Sequence, residues 1–187
     1  KSKYCYSNNG RGIKSMDLRV MTNVLDTKTF SNIEEIMFKE FSSFPWYYAP
    51  NILAEDNYFQ LVHNFCTNDE VSSPFYGDFL SLLKVLNPKR LLRMRANLLP
   101  RTPTQEQHGF HTDDVLTKKD PDFKKCRTAL FYLTTTNGPT YFKKGPTIKC
   151  EKNSLVDFHC SLPHASSSCT DKKVRAVINL NYIPQDE

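Results

Sequence analysis

The sequence predicts a single, mainly β domain, a sandwich or barrel supported by helices that precede it in the chain. Two observations carry this prediction. Up to Pro88 the apolar residues recur at helical spacing, whereas after Pro88 they alternate with polar residues, as in a β-strand. The second half is also divided into short segments by Gly, Pro and Asn turns. The length of 187 residues corresponds to one domain.

The N-terminal half begins with residues 1–28, which lack periodicity and are expected to be irregular. Ser31 and Glu34 have the spacing of a capping box and predict the start of a first helix. Two more helices are expected at 58–66 and 79–86, where apolar residues again follow helical spacing. The apolar face of the first helix is formed by Phe30, Ile33, Met37 and Phe41.

The strand pattern is clearest at 92–99, where four apolar residues alternate with Arg93, Arg95 and Asn97. The polar face of this strand fits two environments, a solvated edge or the border of a pocket. A turn is predicted at 137–139, which reads Asn-Gly-Pro. Further strands are predicted at 110–113, 127–134, 140–142, 147–151, 154–158 and 174–182.

Composition and charge exclude several classes of protein. The net charge of +5 lies in short clusters of basic residues, which favours solvated loops over a nucleic-acid surface. The six cysteines show no paired spacing, so reduced thiols in a cytoplasmic compartment are expected. No apolar run approaches the roughly 20 residues of a membrane span, so no membrane partner is expected. Residue 1 is Lys rather than Met, which is typical of a trimmed or excised chain.

A metal-binding pattern occurs at residues 111–113, His-Thr-Asp. Residues i and i+2 of a strand point to the same side, so His111 and Asp113 would present an imidazole and a carboxylate together. These are two of the three groups that hold non-haem Fe(II) in a facial triad. His164, which follows the predicted strand 154–158, is the candidate for the third group.

A candidate anion site follows in the same part of the chain. Arg175 opens the last predicted strand, eleven residues after His164. A guanidinium at this position can hold a dicarboxylate through two parallel N–H bonds. Thr128, Leu130 and Tyr132 share one face of the strand 127–134, which brings the Tyr132 phenol within reach of the same carboxylate.

With these residues the sequence resembles the Fe(II)/2-oxoglutarate-dependent dioxygenases, specifically the prolyl-4-hydroxylase-like branch, which includes short members from marine bacteriophages. The resemblance rests on the order and spacing of the four candidate residues, and on 137–142, where many members have a glycine-rich hairpin. It covers about residues 90–183. It implies a double-stranded β-helix, or jelly roll, at 89–183 after a helical part at 29–88, which together form one domain, 29–187. The four residues are His111, Asp113, His164 and Arg175.

The resemblance also implies a role for each residue. His111, Asp113 and His164 would bind Fe(II) and form the catalytic centre. Arg175 would hold the distal carboxylate of 2-oxoglutarate, with help from Tyr132. The other cosubstrate positions implied by the family are Thr128, Leu130 and Asn97, of which Asn97 would lie near the inner carboxylate.

The implied activity is hydroxylation of a substrate C–H bond by O2, with 2-oxoglutarate converted to succinate and CO2 and with ascorbate as a candidate reductant. Asp113 favours hydroxylation over halogenation, because halogenating relatives lack this carboxylate. The expected substrate is a peptidyl residue such as proline, or a free amino acid or other small molecule. Loops 101–107 and 115–125 are expected to select it, in the cytoplasm of the cell or of the host if the chain is phage-encoded.

Three alternatives remain open. A nucleic-acid-directed oxygenase would use the basic loops, although the sequence has no evident base-stacking motif. A jelly roll without catalysis could serve as a binding or structural domain. Cys160 and His164, with Cys150 or Cys169, could instead form a zinc site. The sequence predicts no particular oligomeric state.

Overall fold

The computed structural model describes residues 4–5, 17–53 and 56–185. In these ranges the chain forms two α-helices, two short 3₁₀ helices and twelve strands. The α-helices are α1 (Thr27–Phe38) and α2 (Leu80–Leu86), and the 3₁₀ helices are Pro74–Phe79 and Phe123–Lys125. The strands are β1 (Tyr4–Cys5), β2 (Leu18–Thr22), β3 (Tyr47–Ala49), β4 (Gln60–Thr67), β5 (Glu70–Val71), β6 (Pro88–Pro100), β7 (Arg127–Tyr132), β8 (Thr136–Phe142), β9 (Thr147–Cys150), β10 (Ser154–His159), β11 (His164–Ala165) and β12 (Val174–Pro184).

The strands form two antiparallel sheets. The larger sheet has the order β1-β2-β10-β7-β12-β6-β4-β3, with β5 paired to β4, and the smaller sheet has the order β11-β8-β9. Two facing sheets of this kind form a jelly roll. The predicted fold, a mainly β double-stranded β-helix, is therefore confirmed.

Two buried apolar clusters hold the layers together. Between the sheets, Phe142 and Ile148 of the small sheet pack with Tyr132, Phe158 and Val177 of the large one. On the other face of the large sheet, both helices pack against its central strands, so the predicted helical buttress is present. This second cluster includes Phe30, Ile33, Met37, Phe79, Leu82, Phe131, Ile178 and Leu180. Removal of this apolar surface from water is the main favourable contribution to folding. No helix in the described ranges is long and apolar enough to cross a membrane.

α1 begins earlier than its sequence pattern predicts. The carboxylate of Asp26 accepts the backbone N–H of Thr29 at 3.0 Å and caps the helix, so the capping box predicted at Ser31 is wrong. Phe41 is 97% exposed, because the helix ends at Phe38 before its apolar face reaches that residue. The other predicted members of the face, Phe30, Ile33 and Met37, are buried.

The helix predicted at 58–66 is wrong, because this segment forms β4 between β3 and β6. His63, Phe65 and Cys66 are all buried, so both faces of the strand contribute to the interior and the alternating pattern is lost. A short apolar segment of this kind does not distinguish a helix from a strand. The helix predicted at 79–86 is confirmed as α2, which ends at Asn87 in the left-handed conformation with φ 46°.

Most of the predicted strands are present as β6, β7, β9, β10 and β12. Residues 137–139, however, lie within β8 rather than in a turn, next to an irregularity of register before Thr140. The predicted strand 110–113 contributes only an isolated bridge between His111 and His164. The expected irregular segment 1–28 contains β2, which pairs with β10, while residues 1–3 and 6–16 lie outside the described residues.

Candidate active site

A cavity of about 340 Å³ lies between the two sheets. In the large sheet Arg95 of β6 is paired with Asn179 of β12, and Leu99 is paired with Arg175. Opposed residues of an antiparallel pair point to the same face, so the polar residues of the two strands line one wall. Of the two environments predicted for the polar face of β6, the pocket border is confirmed, because Arg93, Arg95 and Asn97 all line the cavity.

His111, Asp113 and His164 meet at this cavity. One ligand atom from each residue lies within 4.8 Å of those of the other two. The backbone holds the two histidines together, since the N–H of His111 donates to the carbonyl of His164 at 3.0 Å and the reverse bond is 2.9 Å. The backbone N–H of Asp113 donates to the carbonyl of Cys160 at 3.2 Å, which fixes the loop two residues further on. Residues that are 53 positions apart in the sequence are thereby brought to one point.

The Asp113 carboxylate is buried and well provided with donors. Arg93 Nη2 donates to Oδ1 at 2.9 Å, and Oδ2 accepts from Thr128 Oγ1 at 2.8 Å and Asn181 Nδ2 at 3.1 Å. Burial alone would raise the pKa of Asp113, but the charge of Arg93, the proximity of His164 and these hydrogen bonds lower it below its usual value. Asp113 is therefore a carboxylate at neutral pH.

His164 has one ring nitrogen without a partner. Its Nδ1 lies 3.0 Å from the carbonyl of Leu162, which can only accept, so Nδ1 carries the proton and Nε2 carries the lone pair. Nε2 is buried, has no hydrogen-bond partner, and lies 3.9 Å from Asp113 Oδ2. Burial lowers the pKa of His164, which keeps the ring neutral.

This arrangement fits a divalent metal ion. A neutral imidazole with a free lone pair beside a carboxylate and a second imidazole matches the donor set of a facial triad. A buried polar atom without a partner destabilises the fold, and a metal ion at this point would satisfy it. The cluster of His111, Asp113 and His164 is the one group of three potential ligands that the described part of the chain contains.

Arg175 supplies a positive charge deeper in the cavity. Its Nε donates to the carbonyl of Gly138 at 2.7 Å and its Nη2 to Thr140 Oγ1 at 2.9 Å, so both partners are neutral. Residue 138 must be small, because a Cβ there would lie 3.0 Å from Arg175 Cδ and 2.5 Å from the carbonyl oxygen of Ser168. The guanidinium is held in a fixed orientation with no carboxylate partner among the described residues, as in a site for a ligand anion.

Tyr132 and Thr128 lie behind the cavity wall rather than on it. The Tyr132 hydroxyl donates to Thr140 Oγ1 at 2.8 Å, and burial raises the pKa of Tyr132 to about 12. Tyr132 therefore reaches the Arg175 region through Thr140. Thr128 donates to Asp113 and lies at the other end of the site from Arg175. Asn97 lines the cavity, and its buried Oδ1 has no partner.

Several cavity residues were not singled out from the sequence. Thr140, Ser166 and Asn179 line the cavity. Asn181 donates a hydrogen bond to the Asp113 carboxylate. The alternation in β12 contains the signal for two of them, since Asn179 and Asn181 are two and four residues after Val177 on the inner face. Ser166 and Thr140 carry no such signal, because small hydroxyl residues are common in turns.

The alternative zinc site is not assembled among the described residues. The Cys150 thiol lies 3.1 Å from the carbonyl of Thr134, and the Cys169 thiol lies 3.5 Å from that of Lys172. The Cys160 thiol interacts with Cys126 in a separate buried cluster. These three cysteines therefore do not converge on His164.

No protein-family model matches the sequence, and no curated protein sequence matches it either. Solved structures do match. An oxidoreductase of the 2OG-Fe(II) oxygenase family from Burkholderia pseudomallei superposes with a TM-score of 0.66 at 12% identity, over 90% of this chain and 86% of that one. HygX from Streptomyces hygroscopicus, solved with nickel and 2-oxoglutarate, gives a TM-score of 0.58 at 12% identity, over 91% and 84%.

A third similar structure is a prolyl hydroxylase from Trichoplax adhaerens, in complex with a peptide fragment of the oxygen degradation domain of hypoxia inducible factor. Its TM-score is 0.58 at 14% identity, over 89% of this chain and 83% of that one. At such identities the likeness establishes the fold. The chain has the jelly-roll fold of these 2-oxoglutarate oxygenase structures.

Proposed function

We propose that the protein is an Fe(II)- and 2-oxoglutarate-dependent oxygenase. One observation carries the proposal: the unpartnered Nε2 of His164 lies beside His111 and Asp113 in the same cavity as the uncompensated guanidinium of Arg175. A metal site and a carboxylate site in one cavity match a cosubstrate that binds the metal at one end and carries a carboxylate at the other. The fold shared with HygX and the other solved structures supports the same assignment.

The roles of the residues follow from their contacts. His111, Asp113 and His164 would hold Fe(II), with Arg93, Thr128 and Asn181 orienting the Asp113 carboxylate. Arg175 would bind the distal carboxylate of 2-oxoglutarate, positioned by Gly138 and Thr140, and Tyr132 would fix Thr140 from behind the wall. Asn97, one row closer to the metal site, would donate its amide to the inner carboxylate.

When bound, Fe(II) and 2-oxoglutarate supply an oxidant from O2 with release of succinate and CO2, and this chemistry hydroxylates a C–H bond of the substrate. The residues of the chain bind and orient these groups. Both histidines must be neutral to coordinate a metal, and the burial of His164 keeps it so.

The substrate is proposed to be a peptidyl residue such as proline, or a free amino acid. The Trichoplax prolyl hydroxylase, with its peptide, supports the peptide as one option. We also propose that the chain belongs to the prolyl-4-hydroxylase-like branch, which includes short phage members. Its proposed location is cytoplasmic, and its proposed reductant is ascorbate. The nucleic-acid alternative has no support from a specific contact in the cavity.

The test is an anaerobic titration of the metal-free protein with Fe(II) and 2-oxoglutarate, followed by the visible charge-transfer band of the complex. We expect the band in the wild type, and its loss in His111→Ala and in Arg175→Ala. Cys160→Ser is the matched control, because only the zinc alternative requires that thiol. A wild-type protein that binds neither Fe(II) nor 2-oxoglutarate would refute the proposal.

A further inference from the structure

Besides His164 Nε2, three buried polar atoms of the cavity have no hydrogen-bond partner in the described structure. They are Arg95 Nε, Asn97 Oδ1 and Asn179 Oδ1. Arg95 and Asn179 are directly paired across β6 and β12, and Asn97 is the next inward-facing residue on β6. Buried polar atoms in native proteins nearly always have partners, so this group indicates a ligand. Arg95 is the charged member of the group and the only one that lacks a partner for a donor.

The paired residues Arg95 and Asn179 form a row across the large sheet, next to the metal site. Asn179 Nδ2 donates to Asp113 Oδ2 at 3.5 Å, the longest of the hydrogen bonds to this carboxylate. Arg93, two residues before Arg95 on β6, donates to Oδ1 at 2.9 Å. The metal site therefore lies beyond the Arg95–Asn179 row as seen from Arg175. A cosubstrate that spans from Arg175 to the metal must pass Arg95.

The distance from Arg175 to this row fits such a cosubstrate. Arg175 is paired with Leu99, four residues along β6 from Arg95, or about 13 Å of strand. Its side chain shortens this gap, because Cζ lies over the ring of Tyr132, 5.8 Å from the ring centroid. Tyr132 belongs to the row next to that of Arg95, and two rows are separated by about 7 Å of strand. A five-carbon dicarboxylate is of about this length, so its second end reaches the row of Arg95.

The charges match as well as the length. Arg93 is already paired with Asp113 at 2.9 Å, whereas Arg95 and Arg175 form no ion pair with a carboxylate of the described ranges. Burial and the neighbouring charge of Arg93 lower the pKa of Arg95 to about 10, while Asp113 opposes this change, so Arg95 is charged at neutral pH. Two unpaired guanidinium groups therefore face the two ends of a dianion. The planar fork of each can hold a carboxylate through two parallel hydrogen bonds.

Resting on the proposed function, we infer that Arg95 binds the inner carboxylate of 2-oxoglutarate, the one beside the keto group, as Arg175 binds the distal one. The Asn97 amide assigned to the same carboxylate is a neutral donor, and Arg95 adds the cation. The protein then holds the cosubstrate by charge at both ends, and the inner end does not depend on the metal alone. The oxygens of Asn97 and Asn179 are acceptors that bind no carboxylate, so they stay available to water or to the substrate.

The test compares two ligands on protein loaded anaerobically with Mn(II), so that binding is measured without turnover. 2-Oxoglutarate carries both carboxylates, whereas 2-oxopentanoate carries only the inner one. We expect Arg95→Met to weaken both ligands by about 30-fold in calorimetry, the loss typical of a charged hydrogen-bonded pair. Arg175→Met should weaken 2-oxoglutarate and leave 2-oxopentanoate unchanged, because that ligand has no distal carboxylate. A purely structural role of Arg95 would not produce this difference between the two variants.

Two further variants serve as controls. Arg95→Lys keeps the charge but loses the fork, and its affinity for both ligands should fall between those of the wild type and Arg95→Met. Arg90→Met removes an exposed arginine of the same strand that pairs with Asp69 and Asp122, and should change neither affinity.

Three results would overturn the inference. Unchanged affinities in Arg95→Met would show that Arg95 does not contact the cosubstrate. Loss of 2-oxoglutarate affinity without loss of 2-oxopentanoate affinity in this variant would place Arg95 at the distal end. A wild type that binds 2-oxoglutarate but no 2-oxopentanoate would show that the inner end contributes too little. Failure of the proposed function would differ, since the wild type would then bind neither ligand.

Discussion

Charged side chains lie on both faces of the large sheet. On the face toward the helices, Arg127 donates through Nε to both oxygens of Asp157, at 2.9 and 3.1 Å, and also pairs with Asp17. Tyr182 donates a further hydrogen bond to Asp157 at 3.2 Å. On the cavity face, Arg95 and Arg175 have no carboxylate partner among the described residues.

The difference separates charges that stabilise the fold from charges that are held for a ligand. Five buried side-chain atoms in the described part of the chain lack a partner, and four of them line the cavity. The fifth is Arg127 Nη2, which belongs to a guanidinium that is otherwise paired. A functional site is often maintained at a cost in stability, and here that cost is concentrated in the cavity.

The largest expected effect is on the paired cluster. Arg127→Met should lower the free energy of unfolding by about 4 kcal/mol, because it leaves the buried carboxylate of Asp157 without its cation. Urea denaturation measures this change. Arg90→Met is the exposed control and should have a much smaller effect, because solvent screens the ion pairs of Arg90. Equal losses of unfolding free energy in the two variants would show that the Arg127 cluster stabilises the fold no more than an exposed ion pair does.

Arg175→Met should have the next largest effect, on ligand affinity rather than on stability. We expect 2-oxoglutarate binding to weaken by about 100-fold, or about 3 kcal/mol, because the neutral partners Gly138 and Thr140 cannot replace the lost charge. Calorimetry with Mn(II)-loaded protein measures the affinity. Arg175→Lys should recover part of it. Unchanged affinity in Arg175→Met would remove Arg175 from the cosubstrate site.

The third effect is a loss of folding stability at acid pH, caused by protonation of His108. This ring is buried against Ser166, and burial together with the charge of Arg175 lowers the pKa of His108 to about 4. Because the folded value lies below the unfolded value of about 6.5, stability is complete above pH 6.5 and falls as the pH drops toward 4. We expect a loss of about 3 kcal/mol over this range, which should be smaller in His108→Gln. If the stability of the wild type and of His108→Gln falls in parallel as the pH drops, His108 is not the cause of the loss.

The smallest effect has the opposite sign. Arg95→Met should raise the free energy of unfolding of the ligand-free protein by about 1 kcal/mol, because it replaces an unpaired, partly buried charge with an apolar side chain of similar length. Thermal denaturation would register this as a higher midpoint. A lower midpoint would mean that Arg95 stabilises the fold and is not held for a ligand.

The sequence predicts which residues meet in the cavity better than it predicts the helical half. His111 and Asp113 are two residues apart, so their side chains lie on the same side of any extended backbone. Arg175 is found because it opens the last predicted strand. The helix predicted at 58–66 is wrong because β4 buries residues on both faces, which removes the alternation that marks a strand. α1 begins before its predicted start because it is capped by Asp26, which precedes the apolar face and the capping-box pattern at Ser31.

Other features depend on packing that no local pattern contains. The role of Arg95 could not be decided from alternation alone, since a charged face of a strand fits solvent and pocket equally. Its significance appears only when Asn179 of β12 is placed opposite it without a partner. The role of Gly138 also depends on packing. The sequence predicts a turn at this residue, but it lies in β8, where the absence of a side chain leaves room for Arg175.

The central claim is that the unpartnered atoms of the cavity mark its ligands. A crystal structure of the protein grown anaerobically with Mn(II) and 2-oxoglutarate tests it most directly. We predict the metal on His111, Asp113 and His164, and the distal carboxylate of 2-oxoglutarate on Arg175. A metal bound away from these three residues, or a distal carboxylate bound away from Arg175, would contradict this prediction.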